Sequence, residues 1–464
     1  MTLTRVALAG RLKRRAGRDS LLRDLRDAAA DVEAQTWLVG GYTRDVALAQ
    51  QAHDVDMVAV GGVGRLIARI EEVWGRRAFR FRKRGVTTWR IVSAGRSVDL
   101  VDATRRGLVL DLFRRDFSIN AIAFDLRRSE IADPTGGLAD LRARRLRMTR
   151  PGVLREDPLR SLRAARFMAQ LPELTMSRSV AREARTCARG LRRTSAERVR
   201  FELDRLLAAA DPARGLRALE RLQLLDAVLP ELAPLKSCVA GDRRPDVWRH
   251  TLACLDFSAH RRGLPGRHAA RTGDALSVLR WALLLHDISK PETLALRSDG
   301  RPSFHGHETL GAARADALLR RLRVSRALRR RVVRLIRLHL RPSLLTEGGP
   351  TRRGLERLVR AAGADLPLLA FHAACDALGS GSEDAQRRWR RLRRVLRDLL
   401  ELGERRGRTP LPRLVDGRDV QQLMGIEPGR AVGRALESVR AAQESGEICS
   451  REQARELLRR LARE

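Results

Sequence analysis

Gly40-Gly41 with Arg44 and Asp45 close behind, and Asp54 and Asp56 two apart within DVDMVAV, are the residues whose types and spacing suit chemistry on a phosphate. Adjacent glycines let backbone amides approach a triphosphate closely, because no Cβ stands in the way. Asp54 and Asp56 alternate with Val55, Met57 and Ala59, so a strand aims both carboxylates at one face. Paired hard oxygen ligands on a rigid face suit Mg²⁺, which keeps open positions for substrate phosphates. Taken alone, the same residues also fit a glycine turn beside two solvated aspartates on an edge strand.

Further along, SVDLVDA turns Val98 and Leu100 inward and so places Asp99 on the opposite face with Ser97, as a candidate third carboxylate. Arg114, Arg115, Asp116 and Asn120 bring guanidinium, carboxylate and amide groups into one short segment, which fits phosphate and ribose binding or, equally, a surface ion-pair network. The segment Glu156-Asp157-Pro158-Leu159-Arg160 reads as a helix start in which Asp157 and Arg160, at i and i+3, share a face. An acceptor beside a donor complements cytosine, which offers its N4 amine and N3, and adenine, which offers its N6 amine and N1. Uracil and guanine meet both groups with the wrong polarity. An ordinary helix-start Asp with a stabilising Arg has the same sequence.

The elements that must position these groups are legible in outline. TWLV, DVDMVAV, TTWRIVS, SVDLVDA and INAIAF read as strands between about 36 and 135, with a hairpin turn from Ala94 to Arg96. After about 140 the chain turns to Ala/Leu/Arg-rich helical periodicity, broken at Leu229-Pro230, Pro265-Gly266 and Gly348-Gly349-Pro350. The expectation is an α+β chain, a small mixed sheet followed by a long helical body.

At 464 residues the chain can hold several domains, and 43% hydrophobic content is ordinary for a globular protein. No apolar run looks long enough to span a membrane, and the N-terminus lacks the apolar core of a secretory signal, so a cytoplasmic location is expected. The five cysteines are dispersed, with no C-x-x-C pair, which argues against a disulfide framework or a cysteine zinc site. The formal net charge of +37 implies a polyanionic partner. With 4% aromatics, phosphate contacts to a structured nucleic acid fit better than stacking on single strands.

In order and spacing, LVGGYTRD, DVDMVAV, LFRRDFSINAIAF, DPTGGLADL and REDPLRSLRAARF resemble class II tRNA nucleotidyltransferases and the related bacterial poly(A) polymerases. The resemblance implies template-independent transfer of CMP and AMP from CTP and ATP to the 3′ end of tRNA. By motif, Asp54 and Asp56 would hold two Mg²⁺ with Asp99 as the third catalytic carboxylate. Gly40, Gly41 and Arg44 would take the triphosphate, Arg114, Asp116 and Asn120 the sugar and phosphates, and Asp157, Arg160 and Arg163 the nucleotide. Asp133, Gly136, Gly137 and Asp140 resemble the head-to-neck hinge, and SAERVRFEL the neck helix. The implied layout is an N-terminal helical extension (1–35), a nucleotidyltransferase head (36–140), a nucleotide-selecting and RNA-binding neck (141–240), an HD-type helical domain (241–385) and a helical tail (386–464).

His250, His286-Asp287 and Asp376 are spaced as in an HD domain, with His305, His307 and His339 as further candidate ligands for a second divalent metal. The apolar stretch ALSVLRWALLLHD would bring His286-Asp287 out of the core at a helix end. Isolated structural histidines are the other reading. Three activities follow: tRNA 3′-end nucleotidyl transfer, poly(A) synthesis, and HD-type metal-dependent phosphohydrolysis by a chain whose head only binds RNA. Members of the family that add all of CCA carry a long flexible loop between the third-carboxylate strand and the RRDF-type motif. Here only Arg106 to Leu110 separate Arg105 from Asp111, too short for an independently moving loop. That favours CC addition, with a separate A-adding enzyme as partner.

Overall fold

The computed structural model describes residues 3–52, 54–83, 86–93, 95–238, 246–260, 263–270, 273–347, 349–380, 385–408, 413–444 and 447–462. Ala94 of the expected turn and Gly348 of the expected helix break lie outside them. The chain forms two compact units, Met1–Thr194 with Ala218–Ala227, and Ser195–Arg217 with Val228–Glu464.

The first unit is built on a seven-stranded mixed sheet: β1 (Gln35–Val39), β2 (Val55–Val60), β3 (Phe79–Lys83), β4 (Val86–Ser93), β5 (Arg96–Asp102), β6 (Ala123–Asp125) and β7 (Ile131–Ala132), in the order β3-β4-β5-β2-β1-β6-β7. Only the β2–β5 pair is parallel among its neighbours, with Asp56 opposite Asp99. Alternation explains why the strands form and which face they bury: Val55, Met57 and Ala59 are buried in β2, Val98 and Leu100 in β5. Helices cover the apolar side. In Arg5–Arg18 the residues at four-residue spacing, Leu8, Leu12 and Ala16, are the buried ones, and the Thr4 hydroxyl caps the helix by accepting from the Ala7 N–H at 3.1 Å.

Two expectations about strands change. Only Ala123 and Phe124 of INAIAF belong to a strand, because Ser118–Asn120 form a 3₁₀ turn whose Asn120 side chain is engaged with Asp116 and Arg44. The edge strand β3 is not among the expected strands: FRFRK alternates Phe with charge, but the apolar face is not buried, Phe79 being exposed.

The second unit is helical. The helix Gly273–Leu285 is buried continuously from Val278 to Leu285 and is surrounded by Val247–His260, Arg326–Leu338 and Leu366–Gly379. Trp281 Nε1 donates to Asp204 Oδ1 at 2.8 Å and Arg280 to the Ala209 carbonyl at 2.7 Å, which fixes the Ala196–Leu207 helix against this core. Within the helical stretch Arg352–Gly379 an 18-residue window is as apolar as a membrane span, but 72% of that window is buried inside the fold, as in the core helix of a globular domain. The tail has a core of its own around Val420, Val439 and Leu458, with Asp416 capping the Gly417–Met424 helix.

Candidate active site

Gly40 ends β1 with φ 74°, a conformation that L side chains rarely adopt, and the Gly41–Ala47 helix starts directly after it. A Cβ at Gly40 would overlap the Asp56 carboxylate, so the absence of a side chain is what lets the turn close over β2. Asp56 stands in register with Asp99 on the neighbouring parallel strand, and the Ser97 hydroxyl donates to Asp54 Oδ1 at 3.3 Å. The structure thus brings the three carboxylates to one end of the β2–β5 pair. Burial raises the Asp56 carboxyl above the usual carboxylate range; the Asp99 and Asp54 charges add to this, against the pull of Arg115 and Arg163. Asp99 is held bidentately by Arg90, at 2.6 Å to each oxygen, whereas exposed Asp54 and half-buried Asp56 face the glycine turn side of the sheet.

Arg44 Nη1 donates to Asn120 Oδ1 at 2.7 Å, Asn120 Nδ2 donates to Asp116 Oδ1 at 3.1 Å, and Arg163 reaches Asp116 Oδ2 at 2.8 Å. Burial works against charge on Asp116, but Arg163 and the Asn120 amide hold its carboxyl below the ordinary range. Arg114 pairs with buried Asp111 at 2.5 Å. Arg160 donates to the carbonyls of Val153 at 3.0 Å and Arg114 at 2.9 Å. The helix expected from Glu156 is corrected: a short helix ends at Glu156, Asp157 is extended (φ −139°, ψ 97°), and the next helix is Leu159–Gln170 with Pro158 as its cap. Pro158 disfavours helical geometry at the residue before it. Asp157 therefore stands ahead of the helix that carries Arg160, its carbonyl accepting the Arg160 N–H at 2.8 Å. Downstream, Asp133 accepts from the N–H groups of Gly137 and Leu138 at 2.7 and 2.9 Å, and fully buried Asp140 pairs with Arg145 and Arg147.

A second polar cluster lies in the helical unit. His250 Nε2 is 3.0 Å from Asp376 Oδ1 and 3.3 Å from His286 Nε2, and His307 Nε2 is 3.3 Å from His339 Nε2. Asp287 lies between the two groups: Oδ2 is 3.1 Å from His286 Nε2, and Oδ1 is 3.4 Å from His307 and 3.9 Å from His339. His286 and Asp287 do not emerge from the core; both are fully buried, because the helices that carry the other donors close over them. His305 is exposed and outside the cluster, whereas His307, the first residue of the His307–Arg321 helix, is buried in it. Burial opposes charge on His286, yet Asp287 and Asp376 outweigh it and raise that imidazole to about 10. Burial and the neighbouring His286 push His339 down to about 4. A cavity of about 470 Å³, lined in part by His250, Lys290, Asp376, Arg388 and Arg391, opens onto this centre.

Residues 36–147 match the family model of the poly A polymerase head domain, residues 173–236 that of a probable RNA and SrmB-binding site of polymerase A, and residues 247–377 that of the HD domain. The chain is 35% identical to an A-adding tRNA nucleotidyltransferase of Deinococcus radiodurans over 92% of its own length and 95% of that protein's. The chain belongs to the tRNA nucleotidyltransferase/poly(A) polymerase family. It is 33% identical to a CC-adding tRNA nucleotidyltransferase of Thermus thermophilus, covering 90% of this chain and 92% of the relative. A solved structure of the Thermotoga maritima CCA-adding enzyme complexed with tRNA shares the fold, with a TM-score of 0.57 at 17% identity over 95% of each chain.

The enzyme is thus of the nucleotidyltransferase class, with an HD domain. Both clusters suit divalent metal. In the head, Asp54 and Asp56 offer hard oxygens, and a dication would offset the burial and the neighbouring carboxylate charges that together raise Asp56. In the HD domain, the Nδ1–H groups of His286, His307 and His339 donate to the carbonyls of Leu283 (2.9 Å), Phe304 (2.6 Å) and Ile336 (2.6 Å). That keeps Nδ1 protonated and turns each Nε2 into the cluster, where a dication would displace the proton that Asp287 and Asp376 stabilise on His286. Asp287 Oδ1 is buried with no hydrogen-bond partner among the described residues. Arg115, part of the segment expected to bind phosphate, bonds Asp111 and lies beside Asp56 and Gly40. Three groups were missed from sequence. Cys254, Lys290 and His372 line the HD cluster, Cys254 a single helical turn beyond His250.

Proposed function

We propose that this enzyme adds CMP to the 3′ end of tRNA with Mg²⁺ held by Asp54 and Asp56. The observation that carries the reading is Asp56, in register with Asp99 and close under the side-chain-free Gly40 turn. Two ions about 3.5–4 Å apart on these carboxylates would activate the RNA 3′-hydroxyl and stabilise the pyrophosphate leaving group. The linked Arg44, Asn120, Asp116 and Arg163 hold the nucleotide's sugar and phosphates, with Arg114 and Arg115 beside them. Asp99, in register with Asp56 and tied to Arg90, is the third catalytic carboxylate.

Asp157 and Arg160 select the base. Their carry-over rests on the REDPLR motif, and the two Arg160 bonds to backbone carbonyls support it by holding the guanidinium at one place beside the Arg114 segment. Asp157→Ala and Arg160→Ala are expected to lower discrimination against UTP and GTP by roughly ten-fold or more, with less effect on triphosphate affinity, since edge contacts carry identity at about 1–3 kcal/mol each. Competition between CTP and each other nucleotide on one tRNA primer measures this. Retention of the parent preference in both variants ends the selector assignment.

For the number of additions the proposal is CC. Between the end of β5 at Asp102 and the helix starting at Gly107 only Ala103–Arg106 intervene, and they form a tight turn in which the N–H groups of Arg106 and Gly107 donate to the Ala103 carbonyl at 2.9 and 2.8 Å. That supports the absence of a mobile lever that would let one pair accept a purine after two cytidines. Likeness to the D. radiodurans A-adding enzyme favours a second reading, AMP addition to tRNA that already ends in CC. Either would need a partner enzyme for the remaining step. Extension of a CC-ending tRNA by ATP separates them.

A further inference from the structure

Cys254 follows His250 by four residues in the Val247–His260 helix, so both side chains leave it on one face. Its Sγ is 3.5 Å from His250 Nε2. The same nitrogen is 3.0 Å from Asp376 Oδ1 and 3.3 Å from His286 Nε2, and His286 Nε2 is 3.7 Å from Asp376 Oδ1. All four donor atoms fall within 4.8 Å of one another. Nitrogen and oxygen at about 2.0–2.2 Å and sulfur at about 2.3 Å from a tetrahedral zinc stand roughly 3.3–3.7 Å apart. The spacings among His250, His286 and Asp376, and from Cys254 to His250, already lie close to that range.

Two neighbours direct the fourth corner to sulfur. Asp287 Oδ2, the other oxygen near His250 and His286, is taken by the Lys290 ammonium at 2.7 Å. On the far side, a Cβ at Gly379 would stand 2.6 Å from Cys254 Sγ, so the missing side chain leaves the space that the sulfur fills. We propose that Cys254 is a metal ligand, and that His250, His286, Asp376 and Cys254 form a tetrahedral N₂OS position that takes Zn²⁺ and rejects Mg²⁺. On binding, the thiol proton leaves to solvent and a Zn–S bond forms, with no change of oxidation state. Asp287 Oδ1, His307 and His339 form a separate position with nitrogen and oxygen donors only. A soft thiolate there and hard carboxylates in the head keep the two metals sorted within one chain. This rests on reading the HD cluster as a metal centre.

The full-length chain, stripped with a chelator and titrated with Co²⁺ in excess Mg²⁺, tests it. A thiolate-to-cobalt charge-transfer band in the near ultraviolet is expected. Cys254→Ser should remove the band and weaken Zn²⁺ binding roughly ten-fold or more. A missing band, or one that persists in Cys254→Ser, overturns the proposal. X-ray absorption at the zinc edge of the unaltered protein is independent of how the variant folds and should show one sulfur at about 2.3 Å. Zinc bound with nitrogen and oxygen alone removes Cys254 but leaves the metal centre; failure to retain zinc removes both.

Discussion

Asp54→Asn and Asp56→Asn are each expected to lower CMP transfer by at least about 10³-fold, with tRNA affinity changed by less than about two-fold. Asn keeps the size and shape of the side chain but removes the charge that holds a dication. Several kcal/mol of transition-state stabilisation go with it, and each 1.36 kcal/mol is a factor of ten in rate. Affinity for tRNA is expected to rest instead on the excess of 93 basic over 56 acidic residues, through phosphate contacts. Asp56→Asn also removes the cost of a buried charge and its repulsion from Asp99 and Asp54, so the fold should tolerate it. Initial rates with CTP, a tRNA primer and Mg²⁺, beside a tRNA-binding titration, give both quantities. Transfer at the parent rate in either variant ends the metal-ligand assignment.

His286→Ala combined with Asp287→Ala should empty the HD centre of bound metal and remove any metal-dependent phosphohydrolase activity, while CMP addition stays within about two-fold of the parent. The two substitutions delete donors to both metal positions and the counter-charge of Lys290. The cavity bordered by Arg388 and Arg391 is where a phosphoester would reach this centre. Asp54 and Asp56 belong to the other compact unit. Removing one side of a buried ion pair costs about 3–5 kcal/mol, so melting is recorded alongside. Loss of CMP addition at unchanged melting behaviour would show that nucleotidyl transfer draws on the HD residues.

Much of the head was legible because its chemistry rides on period-2 alternation. DVDMVAV turns Val55, Met57 and Ala59 inward and SVDLVDA turns Val98 and Leu100 inward, and that alone sends Asp54, Asp56 and Asp99 to the opposite face. Their meeting needed more, since the parallel register of β2 and β5 depends on contacts far apart in the chain. The apolar neighbours of Asn120 imitate a strand, but its side-chain bonds to Asp116 and Arg44 hold a turn there instead. Asp157 was placed inside a helix because Pro suits a first turn, but Pro also keeps its predecessor extended. In the HD domain, His305 and His307 look equivalent in sequence. The left-handed Gly306 starts a helix between them, and only His307 is carried inward. Cys254 and Lys290 went unnoticed because a lone thiol and a lone amine signal nothing until tertiary packing sets them beside imidazole and carboxylate.

The most direct test uses purified protein and tRNA transcripts lacking CCA, lacking the final CA, or lacking the final A, each offered CTP and ATP separately. The expected result is CMP addition to the first two, a stop at CC, and no AMP on the third. Failure to add CMP to any transcript, or efficient addition of AMP to the one ending in CC, would contradict CC addition by this head.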